Sequence, residues 1–202
     1  MESSQRKEQI TSITISIIGE EGLAGLTVAK IAEKAEVSEA ALYKHFKGKE
    51  DILEHCIKLI ERNLVGTIKS LAKEETDAIQ ILTSIYNTHM NHIQVNKGVP
   101  RIIYTSEIHS QKTFRTKLFT IIENYLSEIE NIIKEGQKES HISQTISVKR
   151  AARRFLSIIQ FAAFRYSLSG FDKEIIEEGN EQLDEFLQTL KPIPNHQYDT
   201  TI

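Results

Sequence analysis

Residues Thr27-Val-Ala-Lys-Ile-Ala-Glu-Lys-Ala-Glu-Val-Ser-Glu-Ala-Ala-Leu-Tyr-Lys-His-Phe46 read as two short amphipathic helices and the turn between them. Thr27 is a natural N-cap for a helix over 28–35, with Val28, Ile31, Ala32 and Ala35 turned inward. Ala32 is small where two helices must approach closely. Val37 plugs the turn, Ser38 caps a second helix over 39–46, and Leu42 and Phe46 anchor it to a core. Glu39, Ala40, Tyr43 and Lys44 are left facing outward at the front of that helix. This is the grammar of a helix-turn-helix, whose second helix offers its N-terminal residues to base edges in a major groove.

Outward from this motif, the chain of 202 residues is 40% hydrophobic and 26% charged, enough apolar side chain for a core of ordinary size. With Gly 9 and Pro 3, it lacks the closely spaced turn residues that a β-sandwich, a barrel or a loop-rich α/β enzyme needs. Helical periodicity and breakers give segments over 4–21, 28–35, 39–46, 49–71, 78–94, 100–110, 112–139, 148–168 and 173–190. The expected fold is therefore all-α, with about nine helices. A helix-turn-helix DNA-binding domain over 1–47 is joined to a bundle of longer helices over 48–202. Beyond Pro192 and Pro194, the tail 195–202 is expected to fray.

The lone Cys56 excludes a disulfide framework and Cys-cluster metal sites, and it suits a reducing cytoplasm. No apolar run reaches the roughly 20 residues that span a bilayer. The run from Ile10 to Ile18 faintly imitates a signal peptide, but Ser and Thr interrupt it and Glu20 and Glu21 follow. A cytoplasmic location without membrane contact is expected. Net charge is −3, so any binding to nucleic acid must come from a local patch. Positions 1–50 hold seven Lys or Arg against eight acidic residues, yet Lys44, Lys47 and Lys49 stand with no acid among them.

Gly22-Leu-Ala-Gly-Leu-Thr27-Val, Ile31-Ala32, Val37-Ser38, Leu42-Tyr43-Lys-His45-Phe46 and Lys49-Glu50-Asp-Ile-Leu53 agree in order and spacing with one family. On these residues the chain resembles the tetracycline-repressor (TetR) family of regulators. The likeness covers about the first quarter of the chain. It implies that Thr27, Ser38, Tyr43, His45 and Lys49 meet DNA phosphates, and that Glu39, Ala40, Ala41 and Lys44 read bases. Alanine can meet a thymine methyl, lysine can donate to guanine, and glutamate can accept from cytosine N4. Two departures stand out. Glu36 occupies a turn position that is often Gly, and Glu39 places a negative charge at the DNA-facing end.

The resemblance also implies a small-molecule pocket and a dimer interface in the C-terminal bundle. Tyr86, His89, His92, Tyr104, Glu107, Tyr125, Gln160 and Phe164 are the candidate effector contacts, being polar or aromatic groups in otherwise apolar helices. His109 falls in the same group. Histidines at helix interfaces are more often hydrogen-bonded structure than ligands. His89-x-x-His92 with His109 or Glu107 could hold a metal, but i,i+3 histidines are common by chance and no HExxH or Cys partner supports one. No metal or cofactor is expected. Gln160 and Arg165 are expected to pair with acids across a helix contact.

Ala151, Ala152, Phe155, Ile158, Ile159 and Ala162 on one helix, with Ile175, Ile176, Gly179, Leu183, Phe186, Leu187 and Leu190 on the last, are expected to form a C2 dimer interface. The functional expectation is a homodimeric repressor on a palindromic operator, released by an unidentified effector, with the helix from Lys49 as lever. The alternative is a DNA-binding protein that acts through a protein partner without an effector. No GxSxG, P-loop, GxGxxG, HExxH or CxxC motif is present, so an enzyme is not expected.

Overall fold

The computed structural model describes residues 3–172 and 174–192. Lys173, Pro194 and the tail 195–202, all named above, lie outside the described residues. The elements are α1 (Ser3–Glu21), α2 (Val28–Lys34), α3 (Glu39–Tyr43), α4 (Lys49–Glu74), α5 (Ala78–Val95), α6 (Gly98–Tyr104), α7 (Ser106–Ser110), α8 (Lys112–Lys138), α9 (Val148–Leu168) and α10 (Glu174–Leu190). The all-α expectation holds, with ten helices among the described residues.

The tenth arises because the expected helix over 100–110 breaks at Thr105, which is extended (φ −79°, ψ 138°). On either side of the break, Tyr104 Oη donates to the Gln160 carbonyl (3.0 Å) and Thr105 Oγ1 donates to Glu107 (2.6 Å). The second helix of the motif is also shorter than expected. Beyond Tyr43, the Lys44 and His45 amides turn to carbonyls three residues back, so the last turn tightens away from α-geometry.

Two apolar cores form. The first gathers Ile10, Ile17 and Ile18 of α1, Ile31 and Ala32 of α2, and Leu42 and Phe46 of the α3 segment. It also takes in Ile52, Leu53, Cys56 and Ile57 of α4, Val99 and Ile102 of α6, Ile108 of α7, and Phe114 and Leu118 of α8. The three N-terminal helices thus share their core with the bundle. The second core joins the far half of α4 to α5, α8, α9 and α10. Cys56 lies in the first core, with burial pushing its thiol up to about 12. Glu54 staples α4 to α8 through Lys117, and this pair together with Lys58 draws its carboxyl down to about 2.

One expectation is corrected here. The α9 face expected to pair with a second copy is buried within this chain, from Ala152 and Phe155 (0% exposed) to Ile158 (8%). On α10, Leu183, Phe186, Leu187 and Leu190 are likewise buried. The bundle needs this surface because α10 closes it against α9 and α5. What α9 turns outward is Phe161, Phe164 and Leu168, three to four residues apart on one side, after the exposed Lys149, Arg150, Arg153 and Arg154.

Candidate nucleic-acid interface and effector cavity

The helix-turn-helix is built from local backbone chemistry. Thr27 Oγ1 accepts from the Lys30 amide (3.2 Å) and Ser38 Oγ from the Ala41 amide (3.1 Å), so each hydroxyl caps the helix it precedes. Between the helices, the Glu36 amide bonds the Glu33 carbonyl and the Val37 amide bonds the Ala32 carbonyl. This is a Schellman turn. It requires a left-handed residue, and Glu36 takes that role at φ 54°. Arg6 of α1 donates to the Ala35 carbonyl (2.9 Å) and pins the turn to the first helix.

Glu39, Ala40, Tyr43 and Lys44 are exposed, as are Thr27 and Ser38, and Ala41, His45 and Lys49 are half-buried. Tyr43 shows 51% of its surface, unusual for an aromatic in so small a helix. Lys44, Lys47 and Lys49 form no ion pair with a described residue. By contrast, Lys30 and Lys34 are paired with Glu21 and Glu20 of α1. The unneutralised charge of this face is therefore the lysine cluster that follows α3. All nine sequence-derived positions lie on the motif and the start of α4.

In the bundle, a cavity of about 240 Å³ is enclosed by α4, α5, α6, α7, α8 and α9. Of the expected effector contacts, His89, Tyr104, Tyr125 and Gln160 line it, together with His109. The other four line different surroundings. Tyr86 turns to α10, where a Cβ at Gly179 would collide with its phenol oxygen. That oxygen has no hydrogen-bond partner, and burial, helped by the charge of Asp184, pushes the phenol up to about 12. His92 pairs with Asn96 (3.3 Å), Glu107 bonds Thr105, and Phe164 is exposed and stacks edgewise on Tyr104. Arg165 pairs with Glu178 as expected, whereas the Gln160 side chain faces the cavity.

Most of the lining went unnoticed in the sequence. Ile60, Leu64, Ile93, Val99, Ile103, Leu118, Ile121 and Leu156 are ordinary helix-face residues until the helices are placed. Pro100, read only as a helix start, is the one local signal that could have drawn attention.

The polar pair in the cavity wall is His89 and Tyr125. Tyr125 Oη lies 3.0 Å from His89 Nδ1. His89 is 2% exposed, and its Nε2 has no hydrogen-bond partner. Burial first, and then the neighbouring His92, draw the imidazole down to about 4. The Leu64 backbone pulls weakly the other way without making a bond of good geometry. Burial also holds the Tyr125 phenol well above its ordinary range.

Between the motif and the cavity stands α6. Val99, Pro100, Ile103 and Tyr104 line the cavity. On its other side, Gly98 packs against the Ile15 carbonyl of α1, Gly19 abuts the backbone of Lys97 and Gly98, and Ile102 is buried in the first core. A side chain at Gly98 would overlap that carbonyl.

Residues 10–56 match the N-terminal pattern of the tetR family of bacterial regulatory proteins, and residues 58–162 match the C-terminal region of YsiA-like protein. The chain belongs to the TetR family. Relatives extend the match over most of the chain. It is 26% identical over 191 residues to nucleoid occlusion factor SlmA of Alteromonas mediterranea, covering 93% of this chain and 97% of the relative. Among solved structures, FadR of Bacillus subtilis, crystallised with stearoyl-CoA, superposes with a TM-score of 0.76 at 21% identity, covering 91% of this chain and 98% of that one. A TetR transcription regulator from Haloarcula marismortui gives 0.80 at 22% identity, covering 93% and 98%. The chain is a DNA-binding regulator of this family, and its relatives are regulators rather than enzymes. No helix among the described residues is long and apolar enough to cross a membrane.

Proposed function

We propose that the protein is a cytoplasmic homodimeric repressor that binds a palindromic operator and leaves it when a small molecule fills the α4–α9 cavity. Residues 1–47 act as the DNA-binding domain and 48–202 as the ligand-binding and dimerisation domain. Thr27, Ser38, Tyr43, His45 and Lys49 meet phosphates, and Glu39, Ala40, Ala41 and Lys44 face bases. The observation that carries the reading is α6, which touches the cavity with one side and α1 with the other.

A repressor of this kind needs two heads spaced about 34–36 Å apart, one per half-site. The outward faces of α9 and α10 are the surface to supply the second head. Phe161, Phe164 and Leu168 are exposed on α9, and its basic N-terminal end is opposite in sign to exposed Glu177, Glu181, Asp184 and Glu185 on α10. Ligand shifts such a dimer only by preferring the state with misplaced heads, and a coupling of about 1–3 kcal/mol is ordinary. The stearoyl-CoA of the Bacillus subtilis regulator makes acyl compounds reasonable first effector probes.

Exposed Phe119 on α8, away from the α9 stripe in sequence, favours a second reading, in which a protein partner docks without any effector. Selection of binding sites from a random duplex library tests the main reading. An enriched palindrome whose affinity drops in Tyr43→Ala and Lys49→Ala supports it, and no enrichment refutes it.

A further inference from the structure

The α4–α9 cavity also indicates what kind of molecule fills it, an inference that rests on the ligand-released reading above. None of its lining residues is Asp, Glu, Lys or Arg. An isolated charge brought into such a lining loses its hydration without gaining a partner, at a cost far above that of a neutral polar group. The buried imidazole of the wall cannot supply a cation on demand either, because His89 remains neutral down to about 4, and the other lining imidazole, His109, is exposed.

Among its fully buried groups, the wall leaves one hydrogen-bond donor over. Tyr125 keeps its proton, and it shares one hydrogen bond with His89 Nδ1. If the phenol donates, the imidazole proton sits on Nε2, which makes no hydrogen bond of good geometry, the Leu64 backbone being its only weak attraction. If the imidazole donates instead, the phenol hydrogen is the one left over. Either tautomer presents an unmet donor in an apolar wall, and an unmet buried donor costs about 1–3 kcal/mol until an acceptor arrives. Of the other polar lining groups, Tyr104 Oη bonds the Gln160 carbonyl, His109 Nε2 lies 2.6 Å from the Ile103 carbonyl, and the Gln160 side chain is only half-buried.

Size narrows the class further. The volume of about 240 Å³ exceeds the roughly 150 Å³ that holds benzene and falls short of the roughly 300–1,000 Å³ of drug-sized sites. It suits on the order of 10–15 non-hydrogen atoms. We propose that the cavity takes an uncharged, largely hydrocarbon molecule with a single carbonyl acceptor, such as a ketone, ester or thioester, the carbonyl being met by the His89–Tyr125 pair. Any charged part of a larger effector stays outside, beyond Tyr104 and His109.

Isothermal titration calorimetry of the full chain at neutral pH with 2-nonanone, nonanoate and nonylamine tests this. The three share a chain and differ in charge. The ketone should bind, and both ions should bind at least about tenfold more weakly. His89→Phe should weaken the ketone about tenfold, and Ala163→Leu, which fills the cavity, should abolish its binding, with far-UV circular dichroism checking that both fold. If either variant fails to fold, the charge series on the wild type still decides. Nonanoate binding as tightly as the ketone, or no binding of the ketone, overturns the proposal. So does ketone binding indifferent to both substitutions in folded protein. Operator release is read separately by anisotropy. Ketone binding without release would sink the repressor reading and leave the cavity assignment standing, and release by an anion alone would do the reverse.

Discussion

Glu36 holds a left-handed conformation at φ 54° in the turn before α3, where a Cβ is unfavourable by about 1 kcal/mol relative to glycine. Glu36→Gly should therefore stabilise the protein by about 1 kcal/mol in urea denaturation. It should also tighten DNA binding slightly by removing an acid from the helix-turn-helix. His89 gives a second prediction. The unfolded chain protonates this residue near its ordinary 6.5, and the folded chain only near 4. Stability is then insensitive to His89 above that window and falls as pH drops through it, by up to about 3 kcal/mol. His92 is lowered by burial and adds in the same direction. Acid titration of stability should be shallower in His89→Phe than in wild type between those values, and parallel curves would contradict the buried neutral histidine. The caps at Thr27 and Ser38 were readable in the sequence because they are local: each is a hydroxyl three residues from the amide it accepts from. The role of Tyr86 was not. Its phenol meets Gly179 on α10, and a contact between residues so far apart leaves no local trace.

Among the elements, α6 is the one whose importance the sequence concealed. In the sequence it reads as part of one helix over 100–110, and α4 reads as the lever because it belongs to both halves. In the structure, α4 lends Ile60 and Leu64 to the cavity, but α6 lends four residues to the cavity and its other side to α1. Gly98→Ala should push α6 off the Ile15 carbonyl, costing about 1–3 kcal/mol in thermal or urea unfolding. It should also reduce the effect of ligand on operator affinity. Unchanged stability and unchanged coupling would assign transmission to α4. At α3, the acid at the front and the lysines behind leave phosphates as the main attraction. Lys49→Ala should lower the slope of log affinity against log salt by about one. Because Lys49 is the first residue of α4, circular dichroism should confirm that the helix persists.

For the whole molecule, amphipathicity alone did not tell which face of the last two helices is free. A broad apolar face on α9 is the same pattern whether it covers a core or a second copy, and here α5, α8 and α10 cover it. The exposed Phe161, Phe164 and Leu168 on the opposite side are the better dimer candidates. Phe161→Asp with Leu168→Asp should shift sedimentation from dimer to monomer while preserving helical content, and operator affinity should fall with it. A double variant that sediments like wild type would place the interface elsewhere. The central claim is that head and cavity form one device. Its most direct test is fluorescence anisotropy of a selected operator duplex, with and without a ligand that calorimetry has shown to occupy the α4–α9 cavity. The account predicts operator affinity reduced about 5–150-fold by the occupied cavity. Equal affinity with the cavity full and empty would contradict it.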